Sequence, residues 1–233
     1  TGAGSGIGRA TALRLAEAGA GIVLTGRRQE PLEEVASVIR EKGGEARALP
    51  ADVSDMGAIG SVADRILARE GRIDIYIGAA GFNVPQRDFS TLSPETADAV
   101  LRANLNGAFH ASAAALKAMR ACRQGLLVHV SSWSGKRVAP WSGPAYTAAK
   151  AGLIALSESI NLEAARDGIR STVIAPGGVD TPLLDQLPQP PSAEARAKLL
   201  QPEDCADLIA YIAMLPSHVR IDEVTITPIS QGS

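Results

Sequence analysis

Short apolar runs alternate with amphipathic helical patterns along the whole chain, and this alternation restricts the fold more than any other feature. The runs are 21–26 (GIVLTG), 45–53 (EARALPADV), 72–81 (RIDIYIGAAG), 125–132 (GLLVHVSS), 169–178 (IRSTVIAPGG) and 222–229 (DEVTITPI). Between them, residues 6–18, 31–44, 55–70, 93–122, 145–167 and 202–215 have helical spacing or helix start and stop signals. Pro94 and Pro202 fall at first helical turns, while Gly19 and Gly168 close two of the helices. Strands that are apolar throughout and separated by helices form a parallel sheet covered on both faces. The expectation is an α/β fold with a doubly wound, mostly parallel seven-stranded sheet, in one domain over residues 1–233. Its first strand is expected ahead of Thr1, because a glycine turn like the opening TGAGSGIGRA ordinarily follows a strand.

That turn is the first chemical signal. The residues Thr1, Gly2, Gly4, Ser5, Gly6, Ile7 and Gly8 do not spell a literal GxGxxG. Their glycines would still let the backbone turn tightly and bring a pyrophosphate onto the positive end of the next helix. About 20 residues on, where an acidic side chain usually holds the ribose 2′-hydroxyl of NAD, the chain reads Gly26-Arg27-Arg28. Two arginines with no carboxylate can pair with a 2′-phosphate, which favours NADP(H), with NAD(H) possible. The plainer alternative is that both are solvated residues preceding a helix.

Composition narrows the partners. A net charge of -2 provides no electrostatic reason to expect nucleic acid or an anionic membrane. No apolar run approaches the roughly 20 residues needed to span a bilayer, and a cytoplasmic protein is expected. Cys122 and Cys205 form no CxxC and read as small buried hydrophobes, while His110, His129 and His218 lack metal-ligand spacing, so no metal site is expected.

In GPAYTAAKAG, Tyr146 precedes Lys150 by four, which puts both on one helical face, one turn apart. Such pairs are common on ordinary helices. Near a bound nicotinamide, however, a lysine could lower the tyrosine pKa from its reference near 10 and make it an acid/base group.

The ordered set Thr1-Gly2…Gly6…Gly8, Asp52-Val53, Asn104-Leu105-Asn106-Gly107, Val130-Ser131-Ser132, Tyr146…Lys150 and Pro176-Gly177-Gly178-Val179-Asp180-Thr181 resembles the motif series of the short-chain dehydrogenase/reductase family, across almost the whole chain. The resemblance implies a Rossmann-type oxidoreductase that interconverts a secondary alcohol and a ketone. It implies a catalytic tetrad of Asn104, Ser132, Tyr146 and Lys150, with Asn104 anchoring a water in a proton relay to Lys150. It implies adenine-end contacts from Asp52 and Val53, nicotinamide-end contacts from Pro176, Gly177, Val179 and Thr181, and a homodimer or homotetramer. The family's Asn-Asn-Ala-Gly is here Gly78-Ala79-Ala80-Gly81, with Ala79, Ala80 and Gly81 still expected against the cofactor, and the step from Ser132 to Tyr146 is one residue longer than usual. The C-terminal DEVTITPI is similar to a branch of NADP-dependent dehydrogenases that act on small 3-hydroxy acids such as serine.

Ser132 can hydrogen-bond the reacting oxygen at a strand end. No GxSxG surrounds it, and His129 points to the other face of its strand, which excludes a serine hydrolase. Phe82, Val84, Trp133, Trp141 and Leu183 are the expected substrate pocket, although either tryptophan could equally serve packing or a subunit contact. The proline-rich residues 182–201 read as a substrate lid or as a surface loop. Two other functions stay open: a regulatory protein that binds NAD(P) without turnover, and a 3-oxoacyl thioester reductase.

Overall fold

The computed structural model describes residues 1–231, and they form an α/β domain in chain order. α1 (Gly6–Glu17), β1 (Ile22–Leu24), α2 (Gln29–Glu41), β2 (Ala46–Ala48), α3 (Met56–Glu70) and β3 (Ile75–Gly78) make the first half. α4 (Pro94–Leu101), α5 (Gly107–Cys122), β4 (Gly125–Val130), α6 (Pro144–Ala164), β5 (Ile169–Pro176), α7 (Ala193–Arg196), α8 (Pro202–Met214) and β6 (Glu223–Ile226) make the second.

Every strand pairing is parallel, as the alternation requires, but the strands lie in two sheets: β1-β2 and β3-β4-β5-β6. The six strands described are the six that the sequence places within this chain, the expected first strand lying ahead of Thr1. Ile22, Leu24, Ile75 and Ile77 line the space between β1 and β3, and the opening residues of the chain link the two sheets. The Thr1 nitrogen donates to the Ile77 carbonyl at 2.7 Å, and the Ala3 amide donates to the Thr25 carbonyl at 3.2 Å.

β4 is central, with all six residues buried. Its alternate side chains serve two cores, following the period of two along a strand. Leu127 packs with Tyr76, Met119 and Ile160, whereas Leu126, Val128 and Val130 pack with Ile174, Ile209 and Ile212. A third cluster of Leu24, Leu32, Val35 and Ile39 seats α2 on β1.

Three local expectations are corrected. The helix expected to run unbroken over 93–122 instead has a π-helical turn at Arg102–Asn106, between α4 and α5. Cys122, expected buried, is exposed at the end of α5, while Cys205 is buried. The stretch 182–201 is more ordered than a proline-rich loop implies. It has a 3₁₀ turn at Pro182–Gln186, the helix α7, and a parallel bridge from Val179 to Leu200. Arg196 fastens it by ion pairs to Asp180, at 3.2 Å, and to Asp185. Among the described residues, no helix is long and apolar enough to cross a membrane.

Candidate active site

The site forms at the carboxyl ends of the parallel strands, where ligands of such sheets bind. Gly2 turns the chain out of the gap between the sheets with φ of 68°, and a Cβ there would meet the Ala79–Ala80 backbone at 2.6 Å. This requires glycine both for the conformation and for the close approach. Ser5 is the N-cap residue of α1 but makes no side-chain cap bond, so first-turn amides of α1 are left to face a ligand. Ile7 turns its side chain into the core beside Val130 and Val179.

From this turn a groove of about 420 Å³ runs along Gly2, Gly4, Ser5, Arg27, Arg28, Asp52, Val53, Ala80 and Gly81. Asp52 Oδ1 accepts from the Ser54 hydroxyl at 2.7 Å and its amide at 2.9 Å. These bonds, with a smaller contribution from Arg27, hold its carboxyl below the usual range. Phe82, expected in the substrate pocket, instead lines this groove, with the Arg27 guanidinium 6.0 Å from its ring centroid. Its shift has a simple cause: Phe82 directly follows Gly81, and Asn104 Nδ2 holds its carbonyl at 2.8 Å.

The turn after β5 packs against the glycine turn. Gly177 donates to the Ile226 carbonyl at 2.8 Å, and Gly178 donates to Gln231 Oε1 at 2.9 Å. Thr181 reaches back so close that a Cβ on Gly6 would lie 3.1 Å from its methyl group. Pro176 ends β5, and Val179 is buried in the core beneath. The residues expected at the adenine end line this groove, while Thr181, from the turn after β5, packs against Gly6 at its start.

The four residues expected to carry catalysis converge beside it. α6 starts at Gly143 and Pro144, so Tyr146 lies in its first turn and Lys150 in its second. Lys150 is 4% exposed. Its Nζ lies 5.5 Å from the Tyr146 ring centroid and donates to the Val130 carbonyl at 2.9 Å, while its own carbonyl accepts from Ser131 at 2.7 Å. Ser131 is therefore a strut beneath α6, and Ser132, next along, is in hydrogen-bonding reach of the Tyr146 phenol. The π turn buries Asn104 completely and directs Nδ2 to the carbonyls of Val100 and Phe82, both at 2.8 Å. Asn104 Oδ1 is left buried without a partner. A buried acceptor without a partner is rare, and here it suits a water or a ligand group close to Lys150.

Electrostatics differ from the expected pattern. Burial pushes the Tyr146 phenol up to about 12, and the Ser132 hydroxyl and then Arg87 offset only part of that. Burial also brings Lys150 down to about 8. Lys150 is expected to lower the tyrosine together with a bound nicotinamide; in the protein alone, desolvation dominates both groups. His129 is fully buried against Tyr76 and held neutral, at about 4, by burial and by Lys150, so it cannot serve as a base for Ser132.

The loop over the site carries the extra residue between Ser132 and Tyr146. It is coiled into two 3₁₀ turns, Trp133–Gly135 and Pro140–Ser142, tied by a 2.6 Å bond between Ser134 and Ser142. Trp133 and Trp141 stack on each other with centroids 6.3 Å apart and planes at 7°. The Val84 amide donates to Asn83 Oδ1 at 2.9 Å, and Leu183 is exposed on the turn at 182–186. One residue of this region escaped the sequence reading altogether: Arg87, 4% exposed, inserted between the loop and the turn. A single arginine in a polar loop gives no signal of burial. Among the described residues, no group of three or more His, Cys, Asp or Glu side chains is placed to hold a metal.

A glycine turn at the head of a parallel sheet, a groove leading from it and a tyrosine one helical turn from a buried lysine define a nucleotide-dependent oxidoreductase of the α/β class. The family model for short chain dehydrogenase matches residues 1–191. The cis-4-hydroxycyclohexanecarboxylate dehydrogenase of Sinomonas cyclohexanicum is 36% identical over 218 residues, 91% of this chain and 87% of that protein. Among solved structures, an alcohol dehydrogenase from the archaeon Thermococcus sibiricus complexed with 5-hydroxy-NADP superposes with a TM-score of 0.89 at 28% identity, over 100% of this chain and 96% of that one. The closed form of a serine dehydrogenase complexed with NADP+ does so with a TM-score of 0.89 at 26% identity, over 100% and 94%. The chain belongs to the short-chain dehydrogenase/reductase family and is an NAD(P)-dependent enzyme of that family.

Proposed function

We propose that the protein interconverts a secondary alcohol and a ketone with NADP(H), using Tyr146 as the acid/base group. The observation that carries this reading is the convergence of Tyr146, Ser132 and Lys150 at the carboxyl end of β4, beside the unpartnered Asn104 Oδ1. Thr1, Gly2, Gly4, Ser5, Gly6 and Gly8 would hold the pyrophosphate, with Ala79, Ala80 and Gly81 along one side. Arg27, Arg28, Asp52 and Val53 would hold the adenosine end, and Pro176, Gly177, Val179 and Thr181 the nicotinamide end. When bound, the nicotinamide supplies or receives the hydride. In oxidation, Tyr146 Oη takes the hydroxyl proton of the alcohol, and in reduction it returns one to the ketone oxygen. Ser132 Oγ orients that oxygen and stabilises its developing charge. Lys150, and a water on Asn104 Oδ1, would pass protons towards solvent.

A pKa near 12 for Tyr146 suits the acid in ketone reduction without help. The base in oxidation needs more positive charge beside it, which an oxidised nicotinamide would add. The substrate class favoured is a small hydroxy acid or the corresponding oxo acid, on a ring or in a short chain, in line with the names of two of the relatives. The flat faces of the stacked Trp133 and Trp141 suit an apolar substrate body. A screen of NADPH oxidation against cyclic and open-chain oxo acids, neutral ketones and 3-oxoacyl thioesters tests this, and preferential turnover of the thioesters would refute it.

Nucleotide choice has its own test. Arg27 and Arg28 are exposed on the groove with no acidic side chain at the end of β1 to oppose a phosphate. Arg27→Ala is expected to raise KM for NADPH by roughly 10- to 100-fold, the loss of a charge-assisted bond, and to leave KM for NADH nearly unchanged. Steady-state kinetics with both cofactors measure this, and equal effects would reject the selectivity argument.

A further inference from the structure

We infer that Arg87 is a positioning residue for this reaction, which clips the segment at 182–186 over the site and fixes a positive charge beside Tyr146. This rests on the reading of Tyr146 as the acid/base group.

Arg87 lies in the loop between β3 and α4, and its guanidinium bonds three separate pieces of chain. Nε donates to the Val84 carbonyl at 2.6 Å, Nη1 to the Trp141 carbonyl at 3.0 Å, and Nη2 to the Gln186 carbonyl. The first belongs to its own loop, the second to the loop that carries the stacked tryptophans, and the third to the 3₁₀ turn of the proposed lid. A neighbouring bond, from Asn83 Nδ2 to the Ser142 carbonyl at 2.8 Å, fixes the same two loops to each other. The packing is close: Gly143, at φ of 74°, could not carry a Cβ, which would lie 2.6 Å from the Arg87 carbonyl. Since Gly143 and Pro144 start α6, Arg87 is packed directly against the turn that presents Tyr146.

Its charge is as informative as its bonds. A buried arginine ordinarily faces a carboxylate, yet all three bonds from Arg87 go to backbone carbonyls, and it takes part in none of the ion pairs among the described residues. Arginine cannot shed its proton here, so the loops surround a permanent cation. A neutral donor could have tied two of those carbonyls with less desolvation. The groups that face Tyr146 are Lys150 on its own helix, Ser132 at the end of β4 and Arg87 from the loop after β3, with the exposed Asp88 acting on Arg87 as a charge of opposite sign. Arg87 works against the burial that raises the phenol, and thereby favours the tyrosinate needed for alcohol oxidation.

The bonds and the charge separate in two variants. Arg87→Met removes both. Its kcat/KM for alcohol oxidation should rise with pH along a limb displaced upward by about one unit, and KM for the alcohol should rise about tenfold, while NADPH still binds. Arg87→Lys keeps the charge and cannot make the three-way clip. It should restore the pH limb and retain the raised KM. Near-ultraviolet circular dichroism and NADPH binding establish that each variant is folded. If Arg87→Met does not fold, the limb is read in Arg87→Gln, which keeps donors but no charge and is expected to show the same displacement. A limb that stays in place when the charge is removed overturns the inference. Its failure is distinct from failure of the underlying reading: if Tyr146→Phe retains turnover and the limb, the assignment of Tyr146 is wrong whatever Arg87 does. If Tyr146→Phe abolishes turnover and the neutral Arg87 variants leave the limb unmoved, only the inference about Arg87 falls.

Discussion

Replacement of Tyr146 by phenylalanine is expected to lower kcat about 10³-fold, within the 10²–10⁴ range for loss of a general acid/base, with NADPH binding preserved. The substitution removes one oxygen and leaves the ring on the first turn of α6, 5.5 Å from the Lys150 ammonium. At neutral pH the phenol is neutral in both folded and unfolded chains, so its raised pKa does not enter, and the substitution costs about 1 kcal/mol for the lost hydrogen bond with Ser132. Cofactor affinity by fluorescence titration and turnover by NADPH absorbance separate the two effects. Near-normal kcat would eliminate the mechanism, and joint loss of binding and turnover would point to a positioning role for the ring.

Lys150→Met should have effects of opposite sign on activity and stability. Turnover should fall by about 10²-fold or more, because the cation and its proton path beside Tyr146 are lost. Stability at pH 7 should rise. Burial lowers the Lys150 pKa from 10.5 to about 8, so between those values the unfolded chain binds a proton that the folded one does not. Stability of the wild type therefore increases with pH across about 8 to 10.5, and below 8 the full penalty of about 3 kcal/mol applies. Methionine fills the same space without charge but leaves the Val130 carbonyl unbonded, which returns about 1 kcal/mol. A net gain of about 2 kcal/mol at pH 7 is expected by urea unfolding, shrinking towards pH 10.5. A variant less stable than wild type at both ends of that range would show that Lys150 is paid for by contacts beyond its one bond.

How much of this was legible in the sequence depends on the range of the interactions involved. Helix and strand periods are local, so the six strands and most helix ends were readable; the Pro94 and Gly168 boundaries fall where the punctuation predicts. The four proposed catalytic residues were also readable, because their motifs carry spacing. The π turn was not. Slipping the hydrogen-bond ladder at Arg102–Asn106 changes no side-chain period enough to register, although it is what buries Asn104 and leaves its oxygen unpartnered. Phe82 was assigned to the substrate side from its aromatic character, whereas its place is set by its neighbour Gly81 and by a bond from residue 104. Arg87 could not be read at all, since carbonyls 54 and 99 residues away have no identity in a sequence. The effect of burial on Tyr146 and Lys150 could not be read either: spacing reveals that two groups are close but not the water that folding strips from both.

The tryptophan pair gives the protein a built-in optical reporter. The chain has two tryptophans, and both belong to the loop above the proposed catalytic groups, stacked at 6.3 Å. Indole emission therefore arises from this one loop, and two rings so close and so nearly parallel should couple as an exciton pair in the near-ultraviolet. Substrate entry, lid movement and release of the Trp141 carbonyl by Arg87 would each alter that coupling. Stopped-flow observation of an unlabelled protein could then follow the pocket itself, with no background from the rest of the fold.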